Sequence, residues 1–165
     1  MNKPSYIVIH CSATRGDRDF TEKQINEAHV ARGFGKWGYH YYIRKDGRVI
    51  PMRAENEVGA HNNCMVPGMK VSYNRMSIGI CYEGGLDANG RATDTRTPAQ
   101  KEAMARLVQD IASRHEILDV LGHRDTSPDK NRNGVVEQSE WLKECPCFDV
   151  KAEYPAWLPT VIVKP

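Results

Sequence analysis

Two histidines and one cysteine stand where apolar runs meet polar loops: His10, His123 and Cys145. His10 closes the run Tyr6-Ile7-Val8-Ile9, and His123 follows Ile117-Leu118-Asp119-Val120-Leu121-Gly122. Cys145 lies in Lys143-Glu144-Cys145-Pro146-Cys147-Phe148-Asp149. Imidazole and thiolate are ligand types that zinc prefers. Three protein ligands with an open fourth position form the catalytic rather than the structural pattern. Zinc at such a site suits hydrolysis at neutral pH, because it lowers the pKa of bound water from ~15.7 to ~7. No short spacing rule joins the three residues, so the surrounding elements must bring them together.

Those elements can be read from local pattern. Residues 6–10 are β-branched and nearly continuously apolar, which predicts a buried central strand. Thr21 starts a helix with Gln24 at the capping-box position, and Gly33 stops it. Residues 39–43 and 48–52 predict a hairpin around Lys45-Asp46-Gly47. Residues 53–73 form a long polar segment, and loops of that length in a compact domain are often functional. Residues 76–82 predict another strand. Thr97 caps a second helix with Pro98 first and Gln100 third; Met104, Leu107, Val108 and Ile111 give it one apolar face. Residues 117–122 are the last clear strand. Residues 126–145 read as a polar insertion with a short helix near 140–143. The tail after Asp149, which contains Trp157, is expected to pack on the surface. Strands interleaved with two good helices predict an α/β fold: a single domain with a central mixed β-sheet flanked by helices.

Composition narrows the class. A chain of 165 residues, 40% hydrophobic and 27% charged, describes one ordinary soluble domain with a sizeable core. A net charge of +2 makes no case for a nucleic-acid partner. Five cysteines are an odd number, and no secretory segment is evident, so reduced thiols are expected rather than a disulfide framework. The short run ending at His10 is too polar for a signal peptide, and no apolar stretch approaches membrane-spanning length. Synthesis in the cytoplasm, no membrane partner and a monomer are the expectations.

A series of words in order carries more: Ile9-His10-Cys11-Ser12-Ala13-Thr14, Gly38-Tyr39-His40-Tyr41, Asp46-Gly47, Asn74-Arg75-Met76-Ser77-Ile78-Gly79-Ile80-Cys81, Thr97-Pro98-Ala99-Gln100, Gly122-His123-Arg124 and Cys145-Pro146-Cys147-Phe148-Asp149. Together they resemble the zinc N-acetylmuramoyl-L-alanine amidases of the phage lysozyme type, which share their fold with the peptidoglycan recognition proteins. The resemblance runs from about residue 6 to 149, within one domain spanning 1–165. It implies hydrolysis of the amide between N-acetylmuramic acid and L-alanine, peptidoglycan as partner, and action on the cell wall after lysis or another export route. It implies zinc held by His10, His123 and Cys145, with Tyr39 and Lys143 completing catalysis. His61 matches a position lining the substrate groove, and Asn74 one that orders it. The alternative is a non-catalytic peptidoglycan-binding module of the same fold; such recognition proteins typically lack the cysteine ligand that is present here.

The remaining thiols and imidazoles read as structural. His40 alternates with Tyr39 and should face the other way. His29 and His115 read as solvated helix residues, and Cys11, Cys64 and Cys81 as core or surface thiols. Cys147 stands where the phage lysozymes often have serine, a free thiol close to the metal site. The insertion between His123 and Cys145 departs further. Residues 129–140 fit the EF-hand calcium-loop pattern at every specified position, with Asp129, Asn131, Asn133, Val135, Glu137 and Glu140 as candidate ligands and Gly134 at the turn. A plain Asn-Gly turn is the competing explanation of that segment.

Overall fold

The structure, a computed structural model, describes residues 1–158. Its centre is β1 (Tyr6–Cys11), a six-residue strand that is buried almost throughout. Further strands are β2 (Thr14–Arg15), β3 (Tyr41–Ile43), β4 (Val49–Pro51), β5 (Ser77–Tyr82), β6 (Gly85–Leu86) and β7 (Asp119–Gly122). Five of them make one mixed sheet in the order β4-β3-β5-β1-β7, antiparallel only at the β3–β4 hairpin. β1 lies parallel to β5 on one side and to β7 on the other. This is the expected α/β architecture.

Both helices start where the sequence places them. In α1 (Glu22–Ala31) and α2 (Pro98–Arg114) a threonine accepts the backbone N–H of the glutamine three residues on, and the glutamine accepts the threonine N–H. Two N–H groups that a helix start leaves unpaired are thereby satisfied. Gln100 is fully buried and donates to the Ile43 and Glu83 carbonyls, which ties the start of α2 to the sheet.

Strand alternation divides the core. Ile7, Ile9, Ile78 and Ile80 pack against Met104, Leu107, Val108 and Ile111 of α2. Val8, on the opposite face, packs with Val66, Tyr73 and Leu121. His10 shares Val8's parity, so it emerges on the face away from α2, under the long 53–73 segment.

The C-terminal segment differs from expectation. A short α3 (Val150–Glu153) follows Asp149, and Phe148, Val150 and Trp157 join the α2-side core. The Arg96 guanidinium lies 3.3 Å from the Phe148 ring centroid and pairs with Glu153, which fastens this segment down. Near residue 140 the structure has a single 3-10 turn (Gln138–Glu140) rather than a helix over 140–143. Glu140 in this turn and Glu137 just before it use their side chains for local hydrogen bonds instead of extending a helix.

Candidate metal centre and cleft

Parallel pairing explains why His10 and His123 meet. Ile9 stands opposite Gly122 across β1 and β7, so the next residue of each strand leaves the same edge of the sheet. Open parallel sheets build sites at the carboxyl ends of their strands. The two Nδ1 atoms lie 3.1 Å apart. Cys145 arrives from a loop far along the chain. Its carbonyl accepts the Arg124 N–H at 2.8 Å, its Sγ accepts the Cys11 N–H at 3.2 Å, and the Tyr82 hydroxyl donates to the adjoining Pro146 carbonyl. One ligand atom from each of His10, His123 and Cys145 lies within 4.8 Å of the others.

This donor set fits zinc. Ligand nitrogens ~2.0–2.1 Å from a tetrahedral ion stand about 3.3 Å apart, close to the observed spacing. The imidazoles are also held neutral, as metal ligation requires. Burial takes His10 well below the ordinary imidazole range, with the neighbouring His123, His61 and Lys143 adding to the effect. Burial and then Lys143 push His123 down to about 4.

Behind the ligands lies a row of polar groups. His10 Nε2 meets His61 Nδ1 at 2.8 Å, and His61 Nε2 lies 3.4 Å from Ser77 Oγ. A ligand imidazole commonly uses its second nitrogen to bind an orienting partner, which fixes its tautomer. His61 lines the cleft, with its ring nitrogens engaged by His10 and Ser77 inside the wall. Asn74 orders this wall: its Oδ1 accepts the N–H groups of both His61 and Asn62 at 2.8 Å. Gly79 leaves the room that the His61 ring fills, since a Cβ there would lie 2.7 Å from His61 Cγ. Gly79→Ala is expected to cost ~1–3 kcal/mol by overpacking. Urea unfolding of the metal-free protein measures it; a change within ~0.5 kcal/mol would show that the ring relocates freely.

Tyr39 precedes β3 rather than lying on it. Its ring sits 5.0 Å from that of His10 and 5.1 Å from that of His29. Burial first, then Cys81, Cys145 and Cys11, holds its phenol well above the ordinary range, so it stays protonated. His40 is buried and structural, as expected; its Nδ1 accepts the Gly79 N–H at 3.0 Å. Lys143 is exposed and lines the cleft, which has a volume of about 750 Å³.

Two expectations need correction. His29 is buried, not solvated: its Nδ1 accepts the Gly38 N–H at 2.7 Å, and it lines the cleft. Its i,i+4 spacing from buried Ile25 was the available signal. His115 is not free in solvent but pairs with Glu55. Cys147 is a free thiol, as expected, with its sulfur 3.9 Å from that of Cys11.

In the insertion, Gly134 has φ +87° and donates to Asp129 Oδ2 at 2.8 Å. Glu140 accepts the N–H groups of Lys130, Asn131 and Glu137.

The N-acetylmuramoyl-L-alanine amidase family model matches residues 1–135, and the chain belongs to that family. It is 34% identical to an endolysin of Klebsiella phage KP32 over 147 residues, which are 89% of this chain and 83% of that protein. The N-acetylmuramoyl-L-alanine amidase LysC from Clostridium intestinale URNW aligns with TM-score 0.68 at 31% identity, covering 94% of this chain and 85% of that one. Drosophila PGRP-LB aligns with TM-score 0.64 at 23% identity, over 95% of this chain and 82% of that one, which shows the shared fold. Lys143 and Cys145 lie beyond the segment matched by the family model. Among the described residues, no helix is long and apolar enough to cross a membrane.

Proposed function

We propose that this protein is a zinc-dependent amidase that cuts the bond between N-acetylmuramic acid and L-alanine in peptidoglycan. The observation that carries it is the Cys145 sulfur placed beside the His10 and His123 nitrogens in the wall of an open cleft. A complete three-ligand set with room for a further ligand favours hydrolysis over binding alone. Membership of the amidase family and likeness to a phage endolysin support the choice of bond and a wall-degrading role.

Zinc, when bound, supplies a Lewis acid and a water acidified to near neutrality. The chain supplies the rest. His10 and His123 present neutral nitrogens, and His61 keeps the His10 ring in one orientation. Tyr39 keeps its proton and can donate a hydrogen bond to oxygen that gains charge in the transition state. Lys143 brings an ammonium from the rim of the cleft toward the same charge. Asn74 holds the loop that carries His61.

Purified sacculi incubated with zinc-loaded protein should release stem peptides with a new alanine amino terminus. Chelation should abolish release, and added zinc should restore it. Tight binding to sacculi without a new amino terminus, at full zinc loading, would favour the non-catalytic module.

A further inference from the structure

The 129–140 segment has no part in the metal centre, yet its side chains converge. Glu140 gathers backbone N–H groups from both ends of the loop, at 2.8 Å from Lys130, 3.1 Å from Asn131 and 2.9 Å from Glu137. Asn131 donates its amide to Glu137 Oε2 at 2.8 Å. Asp129 Oδ2 accepts from Gly134, whose positive φ suits glycine. Its other oxygen, Oδ1, is fully buried and has no hydrogen-bond partner. A buried carboxylate oxygen without a donor is costly, and native structures satisfy such atoms with a partner, a water or an ion.

We propose that this loop binds one calcium ion. Asp129 Oδ1 is the first ligand. The Asn131 and Asn133 side-chain oxygens each accept one N–H, at 3.0 and 2.9 Å, and keep a second lone pair for a cation. The Val135 carbonyl, Glu137 (directly or through water) and Glu140 Oε2, which accepts one N–H where Oε1 accepts two, complete the set. Every donor is oxygen, which excludes a preference for zinc and suits a hard cation. Six positions on a flexible loop suit calcium better than magnesium, which demands a tight octahedron and keeps its waters. With two asparagines among the ligands, affinity is expected near the ~10⁻⁴–10⁻³ M of extracellular modules.

The ion would order the segment that leads into the metal centre. Trp141 follows Glu140 directly, and the Arg124 guanidinium lies 3.9 Å from its ring centroid. The Leu142 N–H then bonds Ser127 Oγ at 3.0 Å, just before Lys143 and Cys145. Calcium binding itself does not depend on the amidase proposal and is read without substrate.

Calorimetric titration and thermal melting of the zinc-loaded protein test it, with Trp141 fluorescence as a local reporter. At calcium ~100-fold above its Kd, Tm is expected to rise by about 5–10 °C. The same magnesium concentration should give a much smaller shift. Glu140→Gln removes a ligand but also weakens a group that caps three N–H groups. Asp129→Asn is therefore the deciding variant: it should fold and bind calcium at least tenfold more weakly. No binding heat and no Tm shift in the wild type up to ~10 mM calcium would overturn the proposal. So would an unchanged calcium response in Asp129→Asn, or an equal response to magnesium.

Discussion

Cys145→Ala should lose zinc and hydrolysis together while keeping its fold. The thiol is one of the three proposed ligands, and among the described residues Cys147 is not part of the group of close ligand atoms that His10, His123 and Cys145 form. Dividing the ~10–16 kcal/mol of a four-ligand zinc site evenly gives about 2.5–4 kcal/mol per ligand, or ~10²–10³-fold in affinity. The Cys11 N–H loses its acceptor, a modest cost at a partly exposed site. Zinc content by mass spectrometry, circular dichroism and peptide release from sacculi measure the three effects. Full zinc occupancy in a folded Cys145→Ala protein would remove this residue from the ligand set.

Lys143→Ala and Tyr39→Phe should each slow hydrolysis by ~10²–10³, the usual effect of losing one preorganised electrostatic group. Neither should unfold the protein. Lys143 is exposed, and phenylalanine keeps the ring contacts of Tyr39 with His10 and His29. Lys143 also offers a readout apart from rate. Its charge lowers the pKa of both His10 and His123. Without it those pKa values rise, protons compete with metal at higher pH, and the acid limit of zinc loading moves upward. Normal turnover in both variants, with an unmoved acid limit for Lys143→Ala, would assign the electrostatic work to other groups.

Much of the fold was legible because it depends on near neighbours. The two Thr-x-x-Gln caps, the apolar face of α2 and the run 6–10 each express a local preference, and each is observed. Errors came where distant packing decides. Trp157 looked like a surface residue in a proline-rich tail, yet it closes the α2-side core, with Arg96 on Phe148 beside it. His29 looked like a polar helix residue until the Gly38 backbone was seen against it. His61 could be placed near the groove, but not with its nitrogen against His10.

The candidate ligand types themselves were determined by sequence: histidines at the ends of apolar runs and a cysteine in a short Pro-bounded loop. Whether they could meet was decided only in the tertiary structure. Residues 10, 123 and 145 share no local spacing, and parallel strands pair in register only when the whole sheet buries both its faces. That register set Ile9 beside Gly122, and so set one imidazole beside the other. The Cys145 loop then came to rest on the backbone N–H groups of Arg124 and Cys11, contacts that no sequence pattern announces.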